Sequence, residues 1–135
     1  MTVLTDAEIQ YLDEQRLGRL ATVAPDGAPQ NNPVGFFWNT ALETLDIGGF
    51  RMGATRKSRN VQPTGRAAFV VDDLVSVSPW RVRGIEIRGR AEALSDTEPP
   101  AEGYSRQLIR IYPERIIAWG LEGDAQRPSA RTVAA

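Results

Sequence analysis

The pattern of apolar and polar positions changes its period along the chain, and each change marks an element. Behind Thr5-Asp6-Ala7-Glu8, the apolar residues Ile9, Leu12 and Leu17 recur at near-helical spacing. The Thr5 hydroxyl and the Glu8 carboxylate can each take an orphan backbone N–H, so a short helix running to about Gln15 is predicted. From Gly18 the period shortens. Residues 18–23 are rich in strand formers, Pro25-Asp26-Gly27 is a turn, and residues 32–38 are extended again, which makes a hairpin. Residues 42–47 form a further strand ending at Gly48-Gly49.

A second short helix is expected where Thr55 or Ser58 can cap it, ended by Pro63-Thr64-Gly65. Residues 67–72 are a short apolar strand expected to be buried on both faces. Residues 84–94 alternate, with Ile85, Ile87, Gly89 and Ala91 on one side and Glu86, Arg88, Arg90 and Glu92 on the other, so one face is wet. Residues 95–103 are the most loop-like. Two more strands, 106–111 and 115–121, are separated at Tyr112-Pro113-Glu114, and residues 122–135 lack an apolar period, as a frayed tail or one lying on a neighbour would. Six or seven short strands with two accessory helices predict a mainly β chain, a small β-barrel. Its parts are an N-terminal helix (1–16), the barrel (17–121) and the tail (122–135).

Composition narrows the chemistry. At 135 residues, with 41% hydrophobic and 24% charged residues, the chain suits one globular domain that can bury a core. No apolar run approaches the roughly 18 residues that span a bilayer, and the N-terminus lacks a signal-peptide pattern. With no cysteine, and so no disulfide, a cytoplasmic location is expected. The absence of His and Cys removes the usual zinc sites, haem ligation by either residue, thiol nucleophiles and the Ser-His-Asp triad. An enzyme built this way would take its chemistry from a bound cofactor. No metal site is expected: Asp72-Asp73 reads as a strand end or turn, because adjacent carboxylates on a strand point apart.

The net charge of −1 argues against a surface built for nucleic acid. Against that neutral background, residues 51–66 hold Arg51, Arg56, Lys57, Arg59 and Arg66 and no acid, and Lys57 is the sole lysine among 16 basic residues. Cations in the first turn of a helix oppose its dipole by about 0.3–1 kcal/mol each. An anion docked there reverses the sign, and phosphate is the obvious ligand. A solvated basic loop is the alternative. Gly48-Gly49 and Gly53 match neither the P-loop nor the dinucleotide fingerprint. Trp38, Trp80 and Trp119 read as core or interface anchors; Trp80, between Pro79 and Arg81, is the one expected to be exposed to a partner or ligand.

The order of these pieces resembles a known family. The segments RLGRLATVAPDGAPQNNPVGF, LDIGG, TRKSRNVQPTGRAAFVVDD, IEIRGRAEAL and RIYPERIIAWGLE follow one another as in the pyridoxamine phosphate oxidase-like family, from about Leu17 to Leu121, and most closely as in its coenzyme F420 branch. The resemblance implies an FMN-binding split β-barrel. It places Thr55, Arg56 and Lys57 at the cofactor phosphate, with Asn60 helping and Arg59 reaching toward the tail. Asn32, Pro33 and Val34 would lie beside the flavin ring, with Ile47 and Gly48 near the same cleft. Such proteins are typically homodimers with cofactor sites at the interface, so Trp80 would complete the site of the other subunit.

The function so implied is hydride transfer between coenzyme F420 and a small unsaturated or quinone-like substrate. FMN is the alternative cofactor, and a non-catalytic carrier is the alternative role. F420 extends past a phosphodiester into glutamates, which the longer basic track through Arg51 and Arg59 favours. A nucleic-acid-binding barrel ranks last, since the aromatics, 7% of residues, are not interleaved with the basic run. No catalytic side chain is assigned; water, Tyr104, Tyr112 or an arginine remains open as proton source.

Overall fold

A computed structural model describes residues 2–122 and 128–133. The first helix, α1 (Asp6–Glu14), is opened by the expected capping box: the Thr5 hydroxyl accepts from the Glu8 N–H, and the Glu8 carboxylate accepts from the Thr5 N–H. Tyr11 and Leu12 face the barrel. Strand β1 (Gly18–Val23) pairs antiparallel with β2 (Pro29–Val34), Gly18 opposite Val34 and Val23 opposite Pro29. The turn between them uses Gly27 at φ 90° and the Asp26 carboxylate, which accepts from the Ala28 N–H.

The expected extended run over 32–38 is in fact broken at Gly35-Phe36. Phe36 is buried edge-on to Phe69 at 4.9 Å, and β3 (Phe37–Asn39) then pairs with β4 (Thr44–Ile47) rather than with β1. β4 starts two residues later than 42, because residues 40–43 turn, with Glu43 at φ 56°. The three long strands are β5 (Arg66–Ser76), β6 (Arg81–Leu94) and β7 (Leu108–Trp119). Sheet order is β2-β1-β5-β6-β7-β4-β3. The strands at the two ends of this order, β2 and β3, are therefore consecutive in sequence and joined by two residues, which brings those ends together and leaves the barrel split between them. Leu20, Ile47, Phe69, Ile87, Ile109 and Ile116 are almost wholly buried at its centre.

Three further expectations need correction. β5 is longer than 67–72 and buries one face only: Ala67, Phe69 and Val71 point inward while Ala68 and Val70 are half-buried. Tyr112-Pro113-Glu114 does not end a strand. β7 runs through it with a bulge, the register passing from Arg88↔Arg115 to Gly89↔Pro113 and leaving Glu114 unpaired. Gly89 is required there, since a Cβ would run into the Tyr112 carbonyl. Nor is the tail simply frayed. Ser129–Thr132 forms β8 on β7, and the Arg131 guanidinium grips the buried Glu8 carboxylate. Residues 123–127 and 134–135 of that tail lie outside the described residues. Among the described residues no helix is long and apolar enough to cross a membrane.

Candidate functional site

The basic segment opens the second helix, α2 (Arg56–Thr64). A single 3-10 turn, Met52–Ala54, delivers the chain to Thr55, whose hydroxyl accepts from the Ser58 N–H at 3.3 Å and donates to the Met52 carbonyl at 2.7 Å. Thr55 is thus committed to capping. The Thr55 N–H also bonds Met52, and the Arg59 N–H bonds the Thr55 carbonyl. The N–H groups of Arg56 and Lys57 are left without an acceptor among the described residues, as first-turn positions of a helix are. Gly65, left-handed at φ 65°, closes the helix, and its carbonyl accepts from the Ala91 N–H of β6. Pro63 sits within the last turn rather than beyond it.

The charges at this helix start pair with no carboxylate among the described residues. The ion pairs formed by described residues use Arg19, Arg66, Arg83, Arg88, Arg90, Arg106, Arg110 and Arg131; none involves Arg51, Arg56, Lys57 or Arg59. Arg59 folds back along the helix, its guanidinium donating to the Ala54 carbonyl at 3.2 Å, so its charge stands beside the N-terminus rather than a turn away. Two free N–H groups, two cations on the first turn and a third returned to it suit an anion, and a phosphate in particular.

Each flank of α2 faces something different. On one, buried Asn60 donates to the Thr22 hydroxyl at 3.1 Å and to Gln30 at 3.0 Å. Its amide N–H group fastens the helix to the β1–β2 hairpin. Lys57 lies one turn earlier on the same face, on the side of β2. On the other flank, Ser58 and Gln62 line a groove of about 550 Å³ with Phe50, Arg51, Leu94 and Gln107.

The remaining expected residues divide. On β2, Asn32 and Pro33 are exposed and Val34 is buried, on a strand whose outer edge is unpaired among the described residues. Ile47 is fully buried, and Gly48 is covered by Tyr104 and Pro100, so neither side offers free surface to a ligand. Trp80 is 64% exposed at the tip of the β5–β6 hairpin. The eleven residues of β5 separate it from the end of α2, about 36 Å of strand at roughly 3.3 Å per residue. Within one protomer it is not part of this site. Phe50, 71% exposed at the groove, was not foreseen; an aromatic between Gly49 and Arg51 was the available signal.

The acids Asp72, Asp73 and Asp46 are held by structural ion pairs. Asp72 and Asp73 stand within β5, not at a turn, and point apart: Asp72 pairs with Arg19, and Asp73 with Arg83 at 2.8 Å. The Arg83 hydrogen bond holds the Asp73 carboxyl below its ordinary range, against the opposing effect of burial. The Tyr11 hydroxyl donates to Asp73, and burial with that acceptor pushes the phenol upward. Asp46 is buried and chelated by Arg110, with Thr44 and Asn39 donating. Among the described residues no group of three or more His, Cys, Asp or Glu could hold a metal ion.

Comparison with known proteins agrees with this architecture. The chain is 45% identical over 126 residues to a protein of Streptomyces rimosus subsp. rimosus named 5a,11a-dehydrotetracycline/5a,11a-dehydrooxytetracycline reductase, covering 89% of this chain and 85% of that one. Among solved structures, one named F420 reductase superimposes with a TM-score of 0.62 at 27% identity, over 84% of this chain and 98% of that one. A conserved hypothetical protein of Mycobacterium tuberculosis superimposes with a TM-score of 0.67 at 19% identity, over 90% and 88% of the two chains. The profile described as pyridoxamine 5'-phosphate oxidase matches residues 4–135, nearly the whole sequence and every element of the split barrel; the chain belongs to that family.

Proposed function

We propose that the protein is an oxidoreductase that uses coenzyme F420 to reduce a small unsaturated or quinone-like molecule. The observation that carries this reading is the start of α2, where Arg56 and Lys57, free N–H groups and the returned Arg59 pair with no carboxylate among the described residues. Arg56 and Lys57 would hold the cofactor phosphate, with Thr55 shaping the turn. Asn32 and Pro33 on the open strand β2 would flank the ring, and Arg51 and Arg59 would receive the anionic tail. When bound, the cofactor supplies two electrons as hydride; the chain supplies binding, orientation and exclusion of water.

F420 is preferred to FMN because Arg51, in the groove beside α2, adds a cation outside the helix's first turn for an anionic tail, and because a structural relative carries the name F420 reductase. The relative from S. rimosus is named for reduction of dehydro, hence unsaturated, compounds, which fits the proposed substrate class. We read the chain as one domain acting in the cytoplasm as a homodimer, with Trp80 completing the partner's site.

Titrating the protein with F420 and with FMN, followed by fluorescence, tests the reading. F420 binding is expected to weaken more than about 100-fold in Arg56→Ala plus Lys57→Ala, because charge-assisted hydrogen bonds contribute about 1.5–3 kcal/mol each. Reduced F420 should then be reoxidised by enones or quinones. Tight FMN binding without F420 affinity would overturn the cofactor; F420 binding without turnover would leave a carrier.

A further inference from the structure

The split in the barrel opens into a second cavity, which none of the α2 cations lines. It measures about 470 Å³, within the range of small-molecule sites. Phe36, Phe37, Trp38 and Tyr104 form its walls, and Asp13 and Arg16, from the end of α1 and just beyond, stand at its rim. Tyr104 partitions it from the groove beside α2, lying edge-on to Phe37 at 5.7 Å on one side and to Phe50 at 5.1 Å on the other. Its position depends on glycine: a Cβ at Gly48 would come within 2.7 Å of the ring, and one at Gly35 within 3.2 Å of the hydroxyl oxygen.

Two donors here are unspent. The side-chain hydrogen bonds of the loop carrying Tyr104 are made by Thr97, Ser105 and Arg106, which leaves the Tyr104 hydroxyl without a partner among the described residues. Arg16 likewise pairs with no carboxylate among them, although Asp13 lines the same cavity. A hydrocarbon filling the space would cover these polar groups without satisfying them. A flat molecule with ring oxygens satisfies both requirements: aromatic walls meet its faces, and a guanidinium and a phenol meet its oxygens.

We propose that this cavity binds the substrate to be reduced, and that the substrate is a planar multi-ring ketone or enone. Arg16 and Tyr104 donate to its oxygens, and Asp13 accepts from a hydroxyl or ammonium on its edge. The proposal rests on the chain being a reductase and adds where, and by which residues, the acceptor is read. Position supports it, since β2 ends at Val34 and the next residue, Gly35, begins the cavity wall. The strand proposed to flank the cofactor ring thus leads directly into the acceptor pocket.

The test uses cofactor-free full chain and tetracycline as probe, followed by the indole N–H resonances of the three tryptophans, with Trp38 assigned by Trp38→Phe. Tetracycline is expected to shift Trp38 while Trp80 and Trp119 stay in place. Arg16→Ala and Tyr104→Phe should each weaken binding about tenfold, the size expected for one lost charged or buried hydrogen bond. Tyr104→Phe keeps the ring packing, so its effect reports the hydroxyl alone. A response at Trp80 or Trp119 instead of Trp38, or unchanged affinity in both variants, would overturn the assignment. Naphthalene binding as tightly as tetracycline would overturn the substrate class. Since no cofactor is present, failure of the F420 titration leaves this outcome intact, and a silent Trp38 leaves the cofactor reading intact.

Discussion

Asn60 shows what can and cannot be learned from neighbours in sequence. Its spacing from Arg56 and Lys57 puts it on the right helix, but the direction of the amide is decided by Thr22 and Gln30, 38 and 30 residues away. If its part is to fasten α2 to the hairpin, Asn60→Ala should lower unfolding free energy by about 1–3 kcal/mol, the cost of orphaning buried hydrogen-bond partners. Urea denaturation measures this, and a change below a few tenths would return Asn60 to the helix mouth. Asp73 makes a second residue-scale argument. Its folded carboxyl titrates below the ordinary value of 3.8, chiefly because Arg83 bonds to it. A depressed pKa means the stabilisation is complete above the ordinary value and is lost as pH falls through the depressed one. Melts between pH 7 and pH 3 should therefore show a steeper loss for the native chain than for Asp73→Asn, which still offers Tyr11 an acceptor. Parallel curves would remove Asp73 from the acid response.

Among the elements, those with a local signature were legible and those defined by distant pairing were not. The capping box gave α1, period-two alternation gave the inward face of β6, and Thr55 with Gly65 bounded α2. The reading failed at Pro113, a strong breaker, because its missing N–H is tolerated at a bulge whose partner is Gly89. It failed again at β8, which has no apolar face and is held by backbone pairing to β7 and by Arg131 on Glu8, across 123 residues of chain. That clasp should be strong. The Glu8 side chain is 5% exposed, so Arg131→Ala strands a buried carboxylate and should cost about 3 kcal/mol in urea unfolding. Arg106→Ala, whose partner Asp96 is 82% exposed, should cost under about 0.5 kcal/mol. Equal effects would mean that β8 is held by its backbone alone.

For the whole molecule, the sequence conveyed the barrel and the basic, Thr55-capped start of α2 but not the long β5–β6 hairpin, whose tip carries Leu74, Val75, Val77 and Trp80 into solvent. Val77 is 69% and Trp80 64% exposed, and clustered apolar surface of this kind on a small chain marks a surface meant to be covered. In the homodimer proposed above, a second copy would cover this tip and also complete the proposed site, because an edge strand as open as β2 encloses only one side of a flat ring. If the tip reaches the partner's β2, mass by light scattering should be about 30 kDa, twice 14.9 kDa. Val77→Ser with Trp80→Ala should reduce it to one chain and abolish F420 binding together. Monomers that still bind F420 would confine the site to one protomer and strip Trp80 of its role. Dimers that persist would mean that another face joins the subunits.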